Sequence, residues 1–183
     1  MKDNIMTSLL KVVLFFRRKL EEKTFKWFSY EDWERLPDLD AWEKVKDLSP
    51  SQFDWKINSY KYKSDRLAGL LDNTFPLDKP QYFFKDLPYA RDCDDWARIW
   101  AAYYLHHGKE VQEWVVTNKR HPFTKSHFIV VVKDDEGWRL LNYKRYPMQH
   151  PTPEKAIEDI AGWNSGDYDD DVRIQALYKS YTP

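Results

Sequence analysis

Phe128-Ile129-Val130-Val131-Val132 is an unbroken apolar run, dense in β-branched side chains, and it follows directly on His127. Such a run reads as a buried strand, with His127 at its entry. Trp138-Arg139-Leu140-Leu141-Asn142-Tyr143 reads as a second strand. The Lys133-Asp134-Asp135-Glu136-Gly137 stretch between them has the acidic and glycine content of a hairpin loop. A hairpin sets the start of one strand beside the end of the next. His127 and Asn142 are therefore expected near each other at one end of a sheet.

Upstream, the single cysteine of the chain, Cys93, lies within Asp92-Cys93-Asp94-Asp95-Trp96-Ala97. Ala97, Ile99, Trp100, Ala101, Tyr103, Tyr104 and Leu105 give a broad apolar helical stripe, and Gly108 follows where a helix C-cap would fall. Asp92 fits the N-cap, with Asp95 as the acidic half of a capping box. Cys93 then occupies the first turn, where free N–H groups and the positive dipole end favour a thiolate. The flanking carboxylates of Asp92 and Asp94 oppose that ionisation. A lone cysteine is ordinarily an inert small hydrophobe. Here a helix start carrying it, set against the sheet end with His127 and Asn142, would complete nucleophile, base and orienting group.

These residues resemble the transglutaminase-like cysteine peptidase family. Asp92-Cys93-Asp94-Asp95-Trp96-Ala97 is similar to its G-D-C-E-D-[FY]-A motif. The strand opening at His127 resembles H-A-V-L-x-V, and Leu141-Asn142 falls at the family's L-D-N. Asn58 with Tyr62-Lys63-Ser64-Asp65 is similar to an upstream N…Y-x-x-D segment. The likeness runs from Trp55 to Tyr143. Arg91 stands where the family has glycine, Trp96 where it has Phe or Tyr, and Asn142 where Asp is usual. Asparagine can still orient imidazole through its oxygen, but it supplies no charge to the imidazolium.

The resemblance implies an α+β, papain/transglutaminase-like fold: N-terminal helices, then a central helix with the cysteine at its N-terminus, packed on an antiparallel sheet. It implies a cysteine hydrolase cleaving an amide bond in a peptide or protein, without cofactor or metal. Cys93, His127 and Asn142 would be the triad, with Gln81 as a candidate oxyanion donor. A non-catalytic binding or assembly module and a protein-glutamine acyltransferase are the alternatives.

The remaining chain sets the frame. Its 183 residues suit one domain, which the resemblance implies is a transglutaminase-like cysteine hydrolase domain over residues 29–183, with an amphipathic helical appendage expected over residues 1–28. The net charge of −1 gives no global basic field for nucleic acid. Ile5 to Phe16 is apolar, interrupted by Lys11 and closed by Arg17-Arg18-Lys19. It falls short of the ~20 apolar residues of a membrane span and lacks a signal cleavage site. It reads as a helix packed on the domain, or as a surface that docks on a membrane or partner through residues 5–19. A cytoplasmic location is expected.

Ser29 to Leu36 and Asp38 to Leu48 read as short helices, the second broken by Ser49-Pro50. Gln52 to Leu71 is expected to be partly helical, with Trp55, Tyr62, Leu67 and Leu70 inward. Asn73 to Pro88 reads as an ordered loop reaching the cysteine helix. Further strands are expected over Glu113–Thr117 and Val172–Tyr178, and a helix from Pro153 to about Trp163 with Thr152 as N-cap. Asn118 to Lys125 reads as a basic loop and Gly166 to Asp171 as an acidic turn. His106-His107 point apart, against a shared metal. Asp92, Asp94 and Asp95 could hold calcium, though without an EF-hand loop.

Overall fold

The computed structural model describes residues 5, 7–16, 19, 40–60, 75, 77–84, 92–118, 120, 126–158, 160 and 173–183. Expectations at 20–39, 61–74, 121–125 and 161–172, including the domain boundary at 28/29, lie outside these residues, as does Arg91. The architecture is α+β. Among these residues five antiparallel strands form one sheet: β1 (Glu110–Asn118), β2 (Ser126–Asp134), β3 (Gly137–Asn142), β4 (Lys144–His150) and β5 (Arg173–Tyr181). Their order across the sheet is β4-β3-β2-β1-β5. The helices are α1 (residues 7–16), α2 (Pro50–Ile57), α3 (Cys93–His106) and α4 (Pro153–Glu158), with a 3₁₀ turn at Pro80–Phe84.

The unbroken apolar run of β2 is explained by cover on both faces. Phe128, Val130 and Val132 enter the core that holds α3. Ile129 and Val131 enter a second cluster, with Trp114, Trp138 and Leu140, beneath Ala156 and Ile157 of α4. A strand enclosed this way has no solvent face on which to place a polar residue.

Helix α3 is itself enclosed. Cys93, Asp94 and every residue from Trp96 to Tyr104 are buried. Phe53 of α2 stacks on Tyr103 at 4.0 Å and meets Trp100 edge-on at 5.2 Å, while Phe83 of the 3₁₀ turn meets Trp96 at 5.3 Å. Leu10 and Leu14 of α1 join the same cluster. Arg98 crosses from α3 to β1, bonding Glu113 at 2.7 Å through Nε, and its Nη1 donates to the Phe75 carbonyl at 3.1 Å. Tyr181 at the end of β5 donates its hydroxyl to the same Glu113 at 2.9 Å.

Several expectations need correction. Residues 40–48 are a succession of turns and a bend, not a helix, with hydrogen bonds alternating between three- and four-residue spans. Ser49-Pro50 does not merely interrupt; Ser49 caps α2 in a reciprocal box with Gln52, and Pro50 takes the first helical position. Trp55 points outward, 75% exposed, because Phe53 and Ile57 hold the inner face of α2. Strand β4 was not anticipated. It is an edge strand, and its Lys144-Arg145-Tyr146-Pro147 start is the charged and proline-bearing composition that suits an edge.

Candidate active site

Cys93 opens α3 because Asp92 ends the preceding chain as an N-cap. Asp92 is extended, and its side chain accepts from the N–H of Asp94 at 3.2 Å. The bond falls on the second helical N–H, one position before the Asp95 named by a capping box. At the far end Gly108 takes φ +67°, donating to the Leu105 carbonyl at 3.0 Å, and Lys109 donates to Tyr104 at 3.0 Å. This paired closure is a Schellman motif, and it fixes the helix in register over the sheet.

His127 is the second residue of β2 and Asn142 the last of β3. Strand register pairs Val130 with Leu141 and Asp134 with Gly137 across the two-residue Asp135-Glu136 turn. The hairpin thus brings His127 and Asn142 to the same sheet end. Their side chains meet: His127 Nε2 lies 2.7 Å from Asn142 Oδ1, and both residues are buried. An amide oxygen can only accept, so Nε2 carries the proton and Nδ1 keeps its lone pair. Nδ1 is therefore the ring nitrogen able to accept a proton.

Two further links tie this pair to the start of α3. The Asp94 charge acts on His127, favouring its protonated form. Tyr143 lies between the two elements, with its ring 5.2 Å from that of His127 and 6.1 Å from that of Trp96. Tyr143 is the single residue between Asn142 and Lys144 and carries φ 49°, an uncommon conformation for a residue with a side chain. That kink turns the chain into β4 and sets the ring against His127. Sequence reading passed over Tyr143 by extending β3 through it; the chain entering a tight strand reversal there was the available signal.

Burial dominates the electrostatics. Loss of solvent lowers His127 from 6.5 to about 4, against the opposing effects of the Asn142 bond and the Asp94 charge. The ring is neutral at physiological pH, so it can take a proton but does not stand as a permanent counter-charge to a thiolate. Cys93 is 8% exposed.

Gln81 lies half-buried in the 3₁₀ turn, which packs on α3 through Phe83 and Trp96. Its turn neighbours the cysteine helix, but the contact joining them belongs to Phe83. Asp92, Cys93 and Asp94 present ligand atoms within 4.8 Å of one another. Two carboxylates and a thiol, on adjacent residues, do not provide the six to eight oxygens that calcium takes, and the mixed donors match no hard cation well. His106 and His107 are engaged separately, with Asp47 and the Lys46 carbonyl, each at 2.9 Å. Comparison of the chain with protein-family models, with curated proteins and with solved structures finds no match in any of the three.

Proposed function

We propose that the protein is a cysteine hydrolase of the transglutaminase-like type, acting on an amide bond in a peptide or protein. The observation that carries this reading is the buried 2.7 Å bond from His127 Nε2 to Asn142 Oδ1, at the sheet end linked to the start of the cysteine helix. A histidine tied through Nε2, which leaves Nδ1 as the accepting ring nitrogen, is the configuration a thiol nucleophile needs. The order of elements, cysteine helix before an antiparallel hairpin that opens on His127 and closes on Asn142, supports a papain/transglutaminase-like reading of the fold.

In this reading, Cys93 Sγ attacks the carbonyl carbon while its proton passes to His127 Nδ1. The tetrahedral oxyanion is held by the Cys93 N–H at the helix start and by a side-chain donor, for which Gln81 is the candidate. His127 then protonates the leaving amine, the C–N bond breaks and a thioester remains on Cys93. Water, deprotonated by the same nitrogen, attacks the thioester to release the acid and restore the thiol. Because burial keeps His127 neutral, the thiol proton moves as attack proceeds, from a neutral pair.

The test uses an activated ester with mass analysis of the intact protein. A burst of product with one acyl group on Cys93 is expected, absent in Cys93→Ala and slowed at least about 100-fold in His127→Ala. A chain that acquires no Cys93 acyl group over a panel of esters and thioesters, with the fold intact, would refute the hydrolase. The burial of Cys93 and His127 favours, as a second reading, a non-catalytic module on the same fold. That is the outcome such a failure would leave standing.

A further inference from the structure

Helix α1 has two apolar faces, and among the described residues only one is packed against the core. Leu10 and Leu14 are buried in the core. Ile5, Leu9, Val12 and Phe16 recur at steps of four, three and four on the opposite side, with Phe15 at its margin, and all five are exposed, Phe16 by 59%. At roughly 3.6 residues per turn this is a continuous stripe about 120° wide. Scattered apolar residues on a surface need no explanation, but five on one face of one helix do.

The charge at this face selects its occupant. Residues 5–19 carry four cations, Lys11, Arg17, Arg18 and Lys19, and no acid, so the rest of a chain of net charge −1 carries −5. Lys11 and Lys19 are exposed, and Lys19 Nζ lies 5.8 Å from the Phe15 ring centroid, so a cation sits on the apolar surface itself. A second copy docking stripe to stripe would bring Lys11 and Lys19 of each copy, four cations, onto one apolar seam. A bilayer with anionic headgroups takes the apolar side chains and the cations at once. Among the described residues no helix is long and apolar enough to cross a membrane, which leaves a helix lying in the interface.

We propose that the exposed face of α1 seats the protein on anionic lipid, with Ile5, Leu9, Val12 and Phe16 entering the headgroup boundary and Lys11 and Lys19 facing the phosphates. The core-facing side of α1 stays packed on the domain throughout.

Sedimentation of the full chain with phosphatidylglycerol vesicles and with phosphatidylcholine vesicles tests this. Binding to the anionic vesicles at least about tenfold tighter, and weakened by half-molar salt, is expected. Leu9→Ser with Phe16→Ser should remove binding while leaving the melting temperature unchanged, since neither side chain is in the core. Lys11→Gln with Lys19→Gln should weaken it severalfold and only on the anionic vesicles. Equal binding to both lipids, or no binding to either, overturns the proposal. So does self-association in solution that Leu9→Ser with Phe16→Ser abolishes, since the face would then belong to a second copy.

Discussion

At His127 burial competes with, and wins over, a hydrogen bond donated to the neutral Asn142 oxygen and the charge of Asp94. The consequence for stability has a definite sign. Below pH 6.5 the unfolded chain takes up a proton that the folded chain, titrating at about 4, does not. Stability therefore falls as pH drops from about 6.5 to about 4, by about 3 kcal/mol in all, and this contribution is constant above 6.5. Urea unfolding at several pH values should show that slope in the native protein and lose it in His127→Gln. Asn142 sets the other side of the balance. Its Nδ2 is buried without a hydrogen-bond partner among the described residues, so the amide is used only through its oxygen. Asn142→Asp places a carboxylate there and should raise the His127 pKa by one unit or more, read by ring NMR, while keeping or raising turnover. Asn142→Ala should lower kcat with little change in KM, because it frees the ring and leaves substrate contacts alone. A folded but inactive Asn142→Asp would remove Asn142 from the triad.

The elements differ in how far the sequence disclosed them, and the reasons are physical. Helix α3 was legible because its signals agree: an Asp92 cap, an apolar stripe and Gly108 at the end. The β2–β3 hairpin was legible from a β-branched run and an acidic turn, which also brought His127 and Asn142 together. Strand β4 was not, since an edge strand needs no apolar pattern. Trp55 was misjudged because a large aromatic was expected to be buried, when the period of α2 assigns that face to Phe53 and Ile57. The Arg98–Glu113 pair was hidden because long-range ion pairs leave no local trace. It joins α3 to β1 with both residues buried. Glu113→Ala should cost about 3–5 kcal/mol in urea unfolding, since it strands the Arg98 charge. The two positive-φ glycines among the described residues should separate clearly. At Gly108 an added methyl meets nothing within 4 Å, so Gly108→Ala carries only the backbone cost of about 1–2 kcal/mol. At Gly137 it would lie 2.6 Å from the His150 carbonyl oxygen, so Gly137→Ala should be the worse of the two and disturb β4.

For the whole molecule, the sheet serves as a rigid plate gripped from both sides. Helix α4 covers one face, and α3, α2 and α1 share the core on the other. Cys93, His127 and Asn142, the candidate site, lie where the plate ends and α3 begins, so they inherit their positions from packed elements and not from loops. This organisation carries the central claim, that Cys93 is activated by His127. The chain has one cysteine, so every thiol adduct reports on that atom. The rate of alkylation by a small haloacetamide, followed from pH 5 to 9 in the native protein and in His127→Ala, tests the claim most directly. If His127 Nδ1 accepts the thiol proton, the native protein should react at least about tenfold faster than His127→Ala at pH 6 to 7, and faster than the urea-unfolded chain despite the burial of Cys93. Identical profiles in the two proteins, both following an ordinary thiol near 8.5, would contradict it.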